Sequence, residues 1–148
     1  MSALTTSRIA RSATVAVMAG GAVAGAVGLG SAAPASATHT LKLTTVQIAD
    51  KQVGYYDIAA NKDIQNGKVV GFDTTSCLIN INTHVAKCEI SVSRADGTFR
   101  GRATLNLDNG TGTGVITGGT RTFHGATGTL TAKPLSQTKT LVTVVYHS

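Results

Sequence analysis

The 148-residue sequence contains no tryptophan and only three phenylalanines and three tyrosines. Proteins that bind single-stranded nucleic acid use aromatic side chains as stacking platforms, so this scarcity bears on function. From residue 38 onward, 11 basic and 7 acidic residues leave a formal charge of about +4, which is small and scattered. The densest basic pair, Arg100 and Arg102, shares one face of a predicted strand and has no stacking platform beside it. We therefore expect a solvated strand face here and no nucleic-acid partner.

Charge is absent from one long segment near the start of the chain. Arg8 and Arg11 precede it, and residues 12–40 contain no Lys, Arg, Asp or Glu. The segment is apolar in its middle and ends at Ala35-Ser36-Ala37, an A-x-A cleavage pattern. A basic start, an apolar middle and a small-residue exit are the parts of a secretory signal peptide. We predict a signal peptide over residues 1–37, a secreted domain over residues 38–148 and no stable membrane anchor.

Patterns typical of metal and cofactor sites are also missing. The four histidines, at positions 39, 84, 124 and 147, form no cluster with metal-ligand spacing. No serine has the surroundings of a nucleophile elbow, and the glycine-rich run 110–119 has no helix after it to bind a phosphate. We expect no metal and no cofactor.

No stretch beyond residue 38 has a sustained 3.6-residue period, so helices are not expected. Period-two alternation is clear instead, above all in residues 85–93 and 99–107. We predict eight or so strands joined by Gly and Asn-Gly turns, in a sandwich or a closed barrel. The predicted strands are residues 40–48 (with a β-bulge at Thr44-Thr45), 54–59, 68–73, 77–81, 85–93, 99–107, 113–117, 129–133 and 138–147. Residues 61–67 are expected to form a polar loop.

Both cysteines, Cys77 and Cys88, lie in the predicted secreted domain, where an even count favours a disulfide. A two-residue hairpin turn at Asn82-Thr83 would place Cys77 directly opposite Cys88. Directly opposed residues of an antiparallel pair can lie within disulfide range. We predict a structural disulfide, which closes a short loop and stabilises the domain by about 2–3 kcal/mol.

The most distinctive stretch is Gly118–Thr129, with four glycines in twelve residues and a single aromatic residue, Phe123. Glycine is used where the backbone needs a positive φ or a close approach, so this stretch predicts a tight corner between two strands. Its pattern G-G-T-x-x-F-x-G-A-x-G resembles the GGTGxFxxAxG motif of the allene oxide cyclase and dirigent superfamily. Asp57 on its strand, the segment 68–71 and the segment 139–146 are similar to other strands of that family. The two-cysteine hairpin resembles its secreted actinobacterial branch.

The resemblance covers most of residues 53–146 and implies an all-β fold, an eight-stranded antiparallel calycin-like barrel. Plant members of the superfamily are commonly trimeric, so a homo-oligomer is compatible with it. The implied function is to hold a small apolar organic molecule in the barrel. Allene oxide cyclases close an epoxy fatty acid into a cyclopentenone, dirigent proteins steer phenoxy-radical coupling, and related bacterial barrels cyclise polyketides. An isomerase or cyclase and a non-catalytic or dirigent-like binding barrel both remain open, and orientation in a shaped pocket would serve either.

Acidic residues within strands are the candidate catalytic groups. Asp57 and Asp73 lie inside predicted strands, and a carboxylate on the inner face of a barrel would have a perturbed pKa. Tyr55 or Tyr56 would place a hydroxyl beside Asp57 for orientation or acid–base assistance. The alternative for each is a solvent-facing strand residue.

Overall fold

The structure, a computed structural model, describes residues 37–148. The predicted signal peptide therefore lies outside the described residues, apart from Ala37. Within the described part of the chain, no helix has the length and apolar character needed to cross a bilayer.

Eight antiparallel strands, paired in chain order, form a closed barrel in which β1 also pairs with β8. This confirms the predicted all-β barrel. The strands are β1 Thr38–Val53, β2 Tyr56–Gln65, β3 Lys68–Asn80, β4 Val85–Arg94, β5 Gly97–Asn106, β6 Gly112–Gly119, β7 Thr127–Ser136 and β8 Lys139–His147. A short 3-10 helix, Arg121–Phe123, joins β6 to β7.

The inner face of the barrel follows the period-two alternation of the sequence. On β4, Ala86, Cys88 and Val92 are buried, and the intervening Lys87 and Glu89 are exposed. On β5, Phe99 and Ala103 are buried, whereas Arg100 and Arg102 are exposed as expected for a solvated face. The apolar parity of these strands therefore faces inward.

The largest departure from the predicted strands is in β2 and β3. The predicted polar loop 61–67 is instead strand as far as Gln65, and only Asn66-Gly67 forms the turn, both with positive φ. The predicted separate strands 68–73 and 77–81 are a single strand, β3. Polar residues continue these strands because their inward side chains line an interior cavity, which a sequence pattern of apolar residues does not register.

Two local predictions need correction. The turn between β3 and β4 spans four residues, Ile81–His84, rather than two, although the paired register is the one predicted. The Asn80 side chain accepts hydrogen bonds from two backbone N–H groups of this turn, which stabilises the longer connection. The β-bulge of β1 lies between Gln47 and Ala49 and not at Thr44-Thr45.

The predicted corner closes one end of the barrel. Phe123 in the 3-10 helix is 3% exposed and packs against Phe99 and Tyr146, with ring centroids 5.1 and 5.3 Å away. The close approach needs glycine at Gly119, where a Cβ atom would lie 2.3 Å from the carbonyl oxygen of Thr98. The corner is thus an aromatic plug held against the barrel by glycine contacts.

Cys77 and Cys88 are paired across β3 and β4 and form the predicted disulfide. Both residues are buried and belong to a second apolar cluster, with Ala86, Ile79 and Leu105. The main cluster lies around the corner and includes Leu43, Phe99 and Val144. The two clusters leave space between them for a cavity.

We expect Phe123→Ala to lower the free energy of unfolding by about 3–5 kcal/mol, because it removes the plug from a closed core. Phe72→Ala is the matched control, since Phe72 is 56% exposed on the outside of β3. That change should alter stability by less than about 1 kcal/mol. Urea unfolding of both variants checks this, and equal losses would contradict the assignment of the corner as the plug.

Reduction of the disulfide should lower the free energy of unfolding by about 2–3 kcal/mol, because the sequence separation of 11 residues is then no longer constrained in the unfolded chain. Unfolding curves with and without reductant measure the effect. The double variant Cys77→Ala/Cys88→Ala should show no response to reductant. A response of that variant as large as that of the native chain would contradict the prediction.

Candidate active site

The barrel encloses a cavity of about 210 Å³. Most of its wall is apolar and is formed by side chains of β1, β4, β5, β7 and β8, including Leu43, Ile90, Val92, Phe99, Leu130 and Val142. The acidic and amide side chains of the lining all come from β2 and β3: Asp57, Asn61, Asp63 and Asp73. Since β2 and β3 are neighbours, one wall of an otherwise apolar cavity is polar.

Asp73 lies on this polar wall and is only 5% exposed. Its partner across the strand pair is Asn61, whose Nδ2 donates a hydrogen bond of 2.7 Å to Asp73 Oδ1. The Thr75 hydroxyl donates to the same oxygen at 3.3 Å. These two donors orient the carboxylate and leave Oδ2 for another partner.

Asp63 lies deeper and is fully buried, with no exposed surface. No N–H group or hydroxyl group of residues 37–148 donates a hydrogen bond to either of its carboxylate oxygens. Burial raises the pKa of Asp63 to about 7, and the negative charge of Asp73 and a proton shared with it add to the rise. The positive charge of Arg94 opposes the rise in pKa but does not cancel it.

Arg94 reaches this region because β3 has a glycine between it and Asp63. Asp63, Gly71 and Arg94 are consecutive partners across β2, β3 and β4. A Cβ atom at Gly71 would lie 2.9 Å from Arg94 Cγ, so the arginine side chain lies over the glycine. Arg94 also donates to Asp96 from Nε and Nη2, at 3.0 and 3.2 Å, and these bonds hold the pKa of Asp96 below its usual value. Part of the arginine charge is thus compensated outside the cavity, whereas Nη1 is buried and has no hydrogen-bond partner among the described residues.

Asp63 and Asp73 therefore form a carboxyl pair with unequal surroundings. Asp73 accepts hydrogen bonds from two side chains and is slightly exposed, whereas Asp63 accepts none from the described residues and has no exposed surface. Such a pair keeps one proton up to about neutral pH, since both carboxyl groups cannot ionise easily side by side. It can therefore accept one proton and donate another within one site.

Of the four residues predicted from the sequence, the structure places Asp57 and Asp73 in the cavity lining. It does not bring them together, because Asp73 lies opposite Asn61, which is about 13 Å along β2 from Asp57. Tyr55 and Tyr56 are 59% and 58% exposed and are not among the lining residues. Their positions give no support to the hydroxyl predicted beside Asp57.

Asp63 and Asn61 are the site residues that sequence reasoning missed, because both fell in the predicted polar loop. The signal was present as a parity: Asp57, Ala59, Asn61 and Asp63 alternate along one face if the strand continues to Gln65. A polar inward face cannot be recognised from hydrophobic alternation alone.

A second depression, of about 470 Å³, lies on the outer surface over β4, β5 and β6. Its rim carries Arg102 and Glu89, which form an ion pair of 2.9 Å with side chains 71% and 68% exposed. An ion pair so exposed is screened by water and contributes little. We assign the site to the interior cavity, where the titratable groups are buried. No group of three or more His, Cys, Asp or Glu within residues 37–148 is arranged to hold a metal ion.

Comparison with known proteins supports the fold. No family model matches the sequence, and no curated protein matches it. Among solved structures, a pyocyanin demethylase superposes with a TM-score of 0.64 at 22% identity, over 73% of this chain and 99% of that one. The Diels-Alderase AbmU from Streptomyces koyangensis superposes with a TM-score of 0.63 at 13% identity, over 78% of this chain and 70% of that one. AbnU, an exo-specific intermolecular Diels-Alderase, has a TM-score of 0.58 at 9% identity, over 76% and 99%.

At these identities the likeness concerns the fold: the chain has the small barrel fold of these cyclase and demethylase structures. None of the three names the allene oxide cyclase superfamily, so that resemblance stays a prediction.

The raised pKa of Asp63 predicts an unusual pH dependence of stability. Its pKa is about 7 in the folded chain, against a reference value of 3.8 for the unfolded chain. Between these two pH values the folded state therefore binds more protons than the unfolded state. The contribution of Asp63 to stability is therefore greatest below about pH 4 and declines up to about pH 7, by up to about 4 kcal/mol. In Asp63→Asn this decline should disappear, so that the variant gains stability relative to the native chain as the pH rises.

Urea unfolding at pH 4 to 8 measures this difference. The control is Glu89→Gln, which removes one exposed carboxylate from the outer face. A native-minus-Asp63→Asn difference that does not change with pH would contradict a buried, protonated Asp63.

Proposed function

We propose that this protein is an exported barrel that binds one small, largely apolar organic molecule and isomerises or cyclises it, in the manner of an allene oxide cyclase-like enzyme. The single observation that carries the proposal is the Asp63–Asp73 pair in the wall of an otherwise apolar cavity. A cavity that only stored an apolar ligand would gain nothing from two buried carboxyl groups, since their burial is unfavourable.

The chemistry follows from the unequal environments of the pair. Asp73, oriented by Asn61 and Thr75, is the group with surface towards the cavity and accepts a proton from the bound molecule. Asp63 holds a proton up to about neutral pH, and the proton can pass between the two carboxyl groups. Proton removal at one position and proton return at another leave the composition of the molecule unchanged, as an isomerisation or cyclisation requires.

The apolar remainder of the cavity supplies orientation. Side chains such as Leu43, Val92, Phe99 and Leu130 form a rigid wall around the molecule. Holding one reactive conformer against an acid–base pair removes much of the entropic barrier to ring closure. The neighbouring structures named as Diels-Alderases support this part of the proposal, since they are barrels of the same kind that bear the names of ring-forming enzymes.

Export is supported by the Cys77–Cys88 disulfide, because structural disulfides persist in oxidising compartments. The proposed signal peptide over residues 1–37 accounts for the route. N-terminal sequencing of the protein recovered from the culture medium tests both, and a start at Thr38 is the expected result.

A cavity-filling substitution tests the site. Ala132 lines the cavity, so Ala132→Phe should fill much of it and lower binding and turnover at least tenfold without loss of the fold. Ala49→Phe, at an exposed position of β1, is the control and should change neither. Untargeted comparison of small molecules from cultures that express the native chain and each variant identifies the molecule consumed and its isomer. Identical profiles for the native chain and Ala132→Phe would contradict the proposal.

Asp73→Asn separates turnover from binding. Loss of an acid–base group should lower the rate of product formation by about 10²–10⁴-fold. The isosteric amide should leave the cavity intact, and native mass spectrometry of the protein with the identified molecule measures any change in binding separately from the change in rate. If the native chain binds the molecule and forms no product, the protein is instead a non-catalytic binding barrel.

A further inference from the structure

The charged groups of the cavity lining are all acidic. Asp57, Asp63 and Asp73 line it, and no lysine, arginine or histidine of the described residues does. The nearest basic group, Arg94, lies over Gly71 behind Asp63 and is bonded to Asp96. A bound molecule therefore meets carboxyl groups and no cation supplied by the cavity wall.

The deepest of these groups lacks a donor. Asp63 is completely buried and lines the cavity, and apart from the proton that it shares with Asp73 it receives no hydrogen bond from the described residues. Asp73 uses one oxygen for both Asn61 and Thr75. The polar wall thus offers acceptors and needs donors, because a buried carboxyl group without partners is unfavourable.

Three kinds of polar head can be compared against this wall. A carboxylate head, as in a fatty acid, has no hydrogen-bond donor and has the same negative charge as the aspartates, so it is repelled. A hydroxyl head brings one donor and no charge. A protonated amine brings up to three donors and a positive charge, and satisfies both the acceptors and the acidic surroundings.

The size of the molecule is limited by the volume. A cavity of about 210 Å³ is smaller than the roughly 300 Å³ at which pockets for drug-sized ligands begin. The enclosed part is therefore a short apolar body, of the order of one ring, against Ile90, Val92 and Leu130.

We infer that the molecule bound in this cavity is a small organic cation, with a one-ring apolar body and a protonated amine that donates to Asp73 and is attracted by the carboxyl group of Asp63 buried beside it. The inference rests on the proposed function and specifies its substrate class. It separates this barrel from one that takes a fatty acid, whose head is an anion.

Three probes with the same body test the head group: benzylamine, benzyl alcohol and benzoate. Isothermal titration at pH 8 with residues 38–148 in the oxidised form measures their affinities. We expect benzylamine to bind at least tenfold more tightly than benzyl alcohol and benzoate to bind most weakly. Tighter or equal binding of benzoate or benzyl alcohol would overturn the inference and leave the proposed small-molecule site standing. Absence of binding by all three at millimolar concentration would contradict the proposed site and the inference together.

Proton linkage provides a second measurement. The charged groups that face Asp63 are Asp73 on β3 and Arg94 on β4, and the pKa of Asp63 is about 7. Binding of benzylamine should therefore release close to one proton at pH 6, and its affinity should rise about tenfold from pH 6 to pH 8. Titrations in two buffers of different ionisation enthalpy measure the release. Proton uptake or no change would overturn the inference.

Substitutions locate the cation. Asp63→Asn and Asp73→Asn each remove one carboxyl group at nearly constant volume and should weaken benzylamine at least tenfold while leaving benzyl alcohol within threefold. Glu89→Gln removes an equal charge from the outer face and should leave both affinities unchanged. Equal weakening by all three variants would show a surface-charge effect and overturn the assignment of the amine to the cavity.

Discussion

Closure of the sheet by the pairing of β1 with β8 is the constraint on which the rest of this structure depends. Nine consecutive residue pairs, from Thr38 opposite His147 to Val46 opposite Lys139, join the first strand to the last. Closure leaves no edge strand and separates an inner face from an outer one. In this closed barrel one parity of every strand faces the interior, and this is why Asp63 on β2 is buried to nearly the same extent as Leu43 on β1.

The interior is stabilised at its two ends by different means. At one end, Phe123 is carried inward by the glycine-rich corner and packs on Phe99 and Tyr146. In the second apolar cluster, the Cys77–Cys88 disulfide joins β3 to β4 among small apolar side chains. Because neither cluster fills the middle of the barrel, the space between them remains as the cavity. The candidate site is therefore the part of the interior that the two apolar clusters leave unfilled.

The acidic pair is the least favourable part of the fold and the most informative. Two carboxyl groups in one apolar cavity destabilise the folded state, and the raised pKa of Asp63 is the direct expression of that penalty. Asn61 and Thr75 donate hydrogen bonds to Asp73, whereas Asp63 has only the proton that it shares with Asp73. A bound molecule that donates hydrogen bonds would offset the penalty, which links the stability of the barrel to its proposed ligand.

The sequence by itself determined the strand-forming character of the chain, the register that places Cys77 opposite Cys88, and the corner at Gly118–Thr129. These features depend on local spacing, alternation and glycine content, which can be read along the chain. It also indicated Asp73, since that residue lies within a predicted strand. Only the tertiary structure decided that residues 61–65 are strand, that Asp63 and Asp73 share a wall, and that Tyr55 and Tyr56 lie outside. The physical reason is that a polar inward residue owes its burial to strands distant in sequence, and its pKa to a neighbour that no local pattern reveals.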